Sequence, residues 1–261
     1  MEGASEIILL IFVSTLLFLT LAMLVVVFVV LYQKRFMQQK QVIQEQETTY
    51  RLRLLESVLE TQESERQRIA RNVHDDVGTL LNVAKMQLGS IKGQDQTQHE
   101  RLEQLGTHLQ DSIEQLRNIA RSLAPPVLDK LGLFKALEDL AGRTQDTGAV
   151  EISFSGEEGT AVSKELSNHL YRMVQEIFTN TLKYAAPAHM SLDFHSDDAE
   201  IRIHIRHDGK GLMQDEVMVI SESGKAFGLN NILSRGLVSG TDVRFGRDED
   251  EYFIQLHHAI I

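Results

Sequence analysis

The chain has 261 residues, a formal charge of −11 and no cysteine. The acidic balance argues against direct nucleic-acid binding, because phosphate contacts need a basic surface. Lack of cysteine excludes disulfides, thiolate nucleophiles and Cys-type zinc sites, and suits a reducing compartment.

Residues 7–32 contain no Asp, Glu, Lys, Arg or Pro. At about 1.5 Å per residue, a helix of that length exceeds the roughly 30 Å of a bilayer's hydrocarbon. No small-residue cleavage site followed by a polar region is present, so a retained transmembrane helix is expected. Glu2 and Glu6 precede it, whereas Lys34, Arg35 and Lys40 follow. The positive flank places the C-terminal side of this single-pass span in the cytoplasm. Residues 1–6 are then a short extracytoplasmic N-terminus, and any signal is expected to arrive through the membrane segment or a partner protein.

Residues 33–62 are rich in Gln, Glu and Arg, with Leu52, Leu55 and Leu59 at helical spacing, and read as a helical linker or short coiled coil. Within residues 63–125 one apolar stripe runs through Ile69, Val73, Val77, Leu80, Ala84, Leu88 and Ile91. A second runs through Leu102, Leu105, Leu109, Ile113, Leu116, Ile119 and Leu123, and Pro125 ends it. Two amphipathic helices with a short connection form an antiparallel hairpin. Alone they bury too little, so a second copy is expected to complete a four-helix bundle, making the chain a homodimer.

Residues 126–148 read as a connector. From 149 to 261 the pattern alternates with period two in "VEISFSG", "HMSLDFH", "EIRIHIR", "TDVRFG" and "EYFIQLH". Helical stretches at about 163–185 and 228–239 separate them, so this region is expected to be an α/β layered domain.

His74 stands in "ERQRIARNVHDDVG", beside stripe residue Val73 but off the stripe. Its neighbours one turn away, Ala70 and Gly78, are small, which would leave room for a large group to approach the ring. Asp75 could accept a hydrogen bond from one ring nitrogen and leave the other as a neutral nucleophile, as phosphoryl transfer to histidine requires. A solvated surface pair of His and Asp would look the same locally.

In "QEIFTNTLKYA", Glu176, Asn180 and Lys183 share one helix face. They offer a carboxylate, a carboxamide oxygen suited to Mg²⁺ and an ammonium suited to phosphate, although an ordinary exposed face would also carry such groups. After "EIRIHIR" comes "HDGKGL", where Gly209 and Gly211 would let backbone approach a ligand at a strand end. Then "GKAFGLNNI" sets Gly224 and Gly228 before a helix whose N-terminal amides would suit an anion.

Together these motifs resemble the sensor histidine kinases of the NarX and DesK type. "ERQRIARNVHDDVG" is similar to their phosphoacceptor box, "APPVLDKLGLFKAL" to the link into the catalytic domain, "QEIFTNTLKYA" to the N box, and "HDGKGL" and "AFGLNNI" to two glycine boxes. The resemblance implies a membrane-anchored multidomain protein. After one transmembrane helix would come a dimerisation and histidine phosphotransfer hairpin at 63–125. An α/β sandwich ATPase domain of the type shared by gyrase, Hsp90, histidine kinases and MutL would follow at 149–261.

By that resemblance His74 is the phosphoacceptor, Asp75 its acidic helper and Glu176 a base acting through the metal-bound shell. Asn180 is the Mg²⁺ ligand and Lys183 a phosphate contact. His207, Asp208, Gly209, Gly211, Gly228 and Leu229 belong to the ATP pocket. The implied activity is ATP-dependent autophosphorylation on His74, followed by transfer to an aspartate of a cytoplasmic response regulator with a helix-turn-helix output domain.

Three positions depart from the family pattern. His207 replaces an aspartate that reads the adenine amine, and would serve as acceptor only while neutral, up to protonation near the ordinary value of about 6.5. Ala226 replaces a glycine. Thr79 replaces the glutamine that orients water for dephosphorylating the regulator. These departures leave open an alternative, a degenerate kinase acting as a membrane-bound dimeric scaffold that holds a regulator.

Overall fold

The computed structural model describes residues 2–91, 96–157, 159–223 and 227–260; Gly224 and Ala226 lie outside the described residues. The chain divides into two compact units, Met1–Leu54 and Leu55–Ile261. Helix α1 spans Glu2–Asn72. No glycine or proline occurs between Gly3 and Gly78, so nothing in the sequence interrupts it. In the first unit its side chains from Ile11 to Tyr32 are all exposed, with a mean hydropathy of 2.8 over the most apolar window, and the helix is long and apolar enough to cross a membrane.

The second unit begins with the hairpin. α1 passes into one π-helical turn at Val73–Val77, where the Gly78 N–H donates to the Val73 carbonyl five residues back. Helix α2 continues over Gly78–Ser90, and α3 returns over Gln96–Leu123. Leu116 sits 3.6 Å from where a Gly78 Cβ would lie, and Leu88 sits 3.9 Å from the corresponding point on Gly106, which fixes the antiparallel register.

The inward face takes in most of the stripe read in the sequence, with Val73, Ala84, Leu88, Leu102, Leu109, Ile113, Leu116 and Leu123 buried or half-buried, but not all of it. Ala70, Gly78, Ile113 and Ala120 are buried between the helices, whereas Ile69, Val77, Leu80 (68 % exposed), Ile91, Leu105 and Ile119 face outward. The π turn adds one residue to a turn and shifts the helical phase beyond it, which an unbroken 3.6-residue period does not anticipate, while Ala84 and Leu88 beyond it still face α3. Gly78 packs inside the hairpin against Leu116, whereas Ala70, although buried, lines the groove beside His74.

Helix α4, Pro126–Gln145, starts on a proline whose missing N–H costs nothing at a first turn, and breaks at Gly132 with φ of +81°. Its Leu133, Ala136, Leu137, Leu140 and Ala141 belong to the main core. Residues 126–148 are thus part of the α/β layer and not only a connector.

Strands β1 (Glu151–Glu157), β2 (His189–Ser196), β3 (Glu200–His207), β4 (Asp242–Asp248) and β5 (Glu251–Ala259) form one sheet in the order β1-β2-β3-β5-β4. β1 and β2 pair in parallel, and the other pairs are antiparallel. The crossover between β1 and β2 carries α5 (Lys164–Asn180), capped by the Ser163 hydroxyl, and a π-helical turn at Thr181–Ala185. Alternation puts Met190, Leu192 and Phe194 of β2 and Ile201, Ile203 and Ile205 of β3 in the core with α4 and α5. On the other face Asp193, Arg202 and Arg206 form exposed pairs. Helix α6, Gln214–Glu222, is not anticipated by the sequence reading; α7 is Phe227–Ser239.

Arg172 of α5 links the hairpin to this layer. Its guanidinium donates to both Glu63 carboxylate oxygens, at 2.9 and 2.7 Å, and to the Ser122 and Leu123 carbonyls at 3.1 and 2.5 Å.

Candidate functional site

The end of β3, the last turn of α5, its π turn, and helices α6 and α7 enclose a cavity of about 730 Å³. β3 supplies His207, the last inward residue of the file Ile201, Ile203, Ile205, His207. The ring is 2 % exposed and stacks on Tyr252 with centroids 6.0 Å apart. Its Nδ1 is buried with no hydrogen-bond partner. Burial lowers the imidazole below its ordinary value, with Asp208 and Glu251 opposing weakly, so the ring stays neutral further into acid than a free histidine. The ring thus stands on the wall of the cavity, buried and neutral, with Nδ1 itself closed off from solvent and unpartnered.

From α5, Glu176 and Asn180 line the same cavity one turn apart, with the Asn180 amide donating to Glu176 Oε1 at 3.4 Å. Lys183 follows on the π turn, also on the wall, its ammonium 5.0 Å from the Tyr184 ring centroid. Gly228, at the start of α7, lies directly over the pair. A Cβ there would clash with Glu176 Oε1 and come within 2.8 Å of the Asn180 amide nitrogen. The N-terminus of α7 and its free amides thus lie against these two side chains. Leu229 is buried and lines the cavity as well.

Gly209 and Asp208 stand apart from the cavity lining, in contrast to the sequence expectation. The Asp208 carboxylate accepts from the Ala188 and His189 backbone N–H groups at 2.8 and 3.1 Å and pairs with the His189 ring at 2.9 Å. Those bonds, the His189 backbone first, hold it below the usual carboxylate range. Gly209 lets the chain pass the Ala185 carbonyl, 2.5 Å from where its Cβ would be. Gly211 does line the cavity, but its missing side chain is required by the Tyr252 ring, with which a Cβ would collide. Both glycines are thus needed for protein packing before any ligand is considered. Tyr184, Tyr252 and Phe227 escaped the sequence reading. Period-two alternation could have marked Tyr252, which lies opposite His207 in the sheet, but only with the β3–β5 register known.

His74 and Asp75 lie in the π turn of the hairpin, both exposed. Successive helical residues do not face one another, and no hydrogen bond joins them among the described residues, so the expected fixing of the tautomer by Asp75 is not seen. Instead they share a groove of about 380 Å³ with Arg71, Arg117 and Arg121. A π turn has no sequence signature strong enough to be read in advance, yet such turns recur at functional sites.

Residues 65–128 match the family described as Histidine kinase. The matched segment is the one that carries His74. Sensor protein VraS of Staphylococcus saprophyticus is 28 % identical over 180 residues, which cover 68 % of this chain and 50 % of that protein. The chain thus spans about half the length of the curated relative it matches. Among solved structures, the histidine kinase domain of a blue-light activated histidine kinase from Erythrobacter litoralis aligns with a TM-score of 0.44 at 15 % identity, over 76 % of this chain and 94 % of that one. The ATP binding domain of PrrB from Mycobacterium tuberculosis aligns with a TM-score of 0.39 at 18 % identity, over 49 % and 90 % of the two chains.

Proposed function

We propose that this chain is a membrane-anchored, dimeric sensor histidine kinase that binds ATP in the 730 Å³ cavity and phosphorylates His74. The phosphoryl group then passes to an aspartate of a cytoplasmic response regulator carrying a helix-turn-helix output domain. The observation that carries this reading is the cavity itself, because Glu176, Asn180, Lys183, His207 and Gly228 converge on it from three separate stretches of chain.

The residues fit a Mg²⁺ ion. This metal keeps several waters and takes one or two protein oxygens plus substrate phosphate, and Asn180 beside Glu176 offers that number. When bound, Mg²⁺ would offset charge developing on the transferred phosphoryl group. The chain's own contributions are distinct. His207 accepts a hydrogen bond from the adenine amine, and Leu229 with Phe227 offers apolar surface to the base. Lys183 and the first amides of α7 meet the phosphates, and Glu176 takes the proton released as His74 attacks. His74 reacts as the neutral imidazole, its exposed position leaving the ring free to be approached.

The exposed apolar face formed by Ile69, Val77, Leu80 and Leu105 supports pairing with a second copy in a four-helix bundle. The exposed apolar stretch of α1 supports insertion in the cytoplasmic membrane with the catalytic unit inside. The test is incubation of the full chain in detergent with γ-labelled ATP and Mg²⁺. Label should be acid-labile and alkali-stable, and His74→Gln should abolish it while leaving nucleotide binding intact. Persistent labelling of the variant would show that another residue is the acceptor.

A further inference from the structure

A second cavity, of about 20 Å³, adjoins the large one, and Glu176 and Ile232 line both. Its walls also include Arg66 of α1, Arg172 of α5, and Asn231 and Arg235 of α7. Three guanidinium groups therefore meet between the helix that leads to His74 and the helices of the nucleotide site. The carboxylates near enough to influence Arg235 are Glu63 and Glu176. Both oxygens of Glu63 already accept from Arg172, and Glu176 Oε1 accepts from Asn180.

Arg235 itself is 5 % exposed and makes no hydrogen bond or ion pair among the described residues. That is an unusual state for the most strongly basic side chain, since buried charges are ordinarily paired. Burial, with Arg172 and Arg66 adding repulsion, pulls Arg235 down to about 10, so it is still charged at neutral pH. A water in the cavity would accept or donate hydrogen bonds but would leave the excess positive charge uncompensated.

We propose that this cavity is a binding site for one monatomic anion of chloride size, held by Arg235 and Arg66 at the seam between the histidine-bearing helix and the nucleotide-binding layer, with Arg172 adding positive charge while its own five N–H groups are taken by Glu63, Ser122, Leu123 and Gln175. The size of the cavity sets the class of ligand. A single water needs roughly 10–15 Å³ of such space, so one small ion fits, whereas a tetrahedral oxyanion does not. The location sets the consequence. Arg66 lies two helical turns before His74, and Arg235 follows Gly228 by two turns on α7. With the anion bound, Arg66 and Arg235 are bridged and the seam is closed. Without it Arg66, Arg172 and Arg235 face only the two carboxylates of Glu63 and Glu176, three positive charges against two negative, and the seam loosens. The site thereby makes docking of the phosphoacceptor helix against the nucleotide layer sensitive to anions.

The test needs no nucleotide and is independent of the kinase reading. The full chain in detergent is heated in chloride, in bromide and in gluconate at one ionic strength, with chloride NMR line broadening as a direct measure of binding. Native protein should gain roughly 3–6 °C in Tm at about a tenfold excess of chloride over its dissociation constant, saturably, with bromide equivalent and gluconate without effect. Arg235→Met should remove both the gain and the line broadening, and Arg66→Gln, a half-buried position that tolerates change better, should weaken both. Equal Tm in chloride and gluconate for the native chain would overturn the proposal and leave water as the occupant. An undiminished chloride effect in Arg66→Gln would overturn it too, by placing the ion elsewhere.

Discussion

Replacing His207 by phenylalanine separates the two things its buried ring does. The ring is 2 % exposed, stacks on Tyr252, and carries an Nδ1 with no partner. A buried acceptor left without a hydrogen bond costs about 1–3 kcal/mol, and phenylalanine keeps an aromatic face toward Tyr252 without that atom. For a chain of this size each kcal/mol moves Tm by about 2–4 °C, so His207→Phe should melt roughly 2 °C or more above the native chain in the absence of nucleotide. ATP binding should move the other way. The adenine amine would enter a buried site without its acceptor, a loss of about 1–3 kcal/mol, or roughly 5-fold to 150-fold in Kd. Differential scanning calorimetry and isothermal titration on the same preparations measure both. In the native chain the Kd should stay flat from pH 8 to 6.5 and weaken only below, because burial holds the ring neutral beyond the ordinary histidine value of about 6.5. Unchanged ATP affinity in His207→Phe would refute the adenine contact. A lower Tm would refute the vacancy at Nδ1.

Asn180→Ala should cut Mg²⁺-dependent labelling by about tenfold or more with the fold intact, because its side chain lines the cavity outside the core; retained activity with the same metal dependence would exclude it as a ligand. Gly228→Ala should displace α7 from Glu176 and Asn180 and weaken nucleotide binding, measured by titration, since its methyl would clash with the Glu176 carboxylate. Glu63→Gln should cost about 2–4 kcal/mol in urea unfolding, because Arg172, its side chain 3 % exposed, would lose a charged partner yet keep two carbonyls and Gln175; the pair Glu63→Gln with Arg172→Met should recover part of that loss. His169, His204 and His207 all lie below their ordinary value, chiefly through burial, so their folded forms bind fewer protons than the unfolded chain. Their contribution to stability is therefore complete above about pH 6.5 and is lost as pH falls from there toward the depressed values, which acid titration of Tm would show.

Much of the architecture was legible in the sequence because it rests on local rules. An uncharged run of residues 7–32, two amphipathic stripes ending at Pro125, and five alternating segments each state their own secondary structure through side-chain period. The order of motifs likewise brought His74, Glu176, Asn180, His207 and Gly228 forward as candidates before any geometry was known. The π turn at Val73–Val77 was beyond that reasoning, since a five-residue hydrogen-bond step leaves no period in the sequence. Glycines were visible, but not what they make room for: Gly209 faces the Ala185 carbonyl and Gly211 the Tyr252 ring, across long stretches of sequence. Asp208 reads as a pocket residue in one dimension, whereas its carboxylate is spent on the start of β2. Glu63 and Arg172 lie 109 residues apart, and Arg66 and Arg235 farther still. Local sequence determines period, polarity and chain order; only the folded chain decides which distant charges are brought out of water together, and whether each finds a partner there.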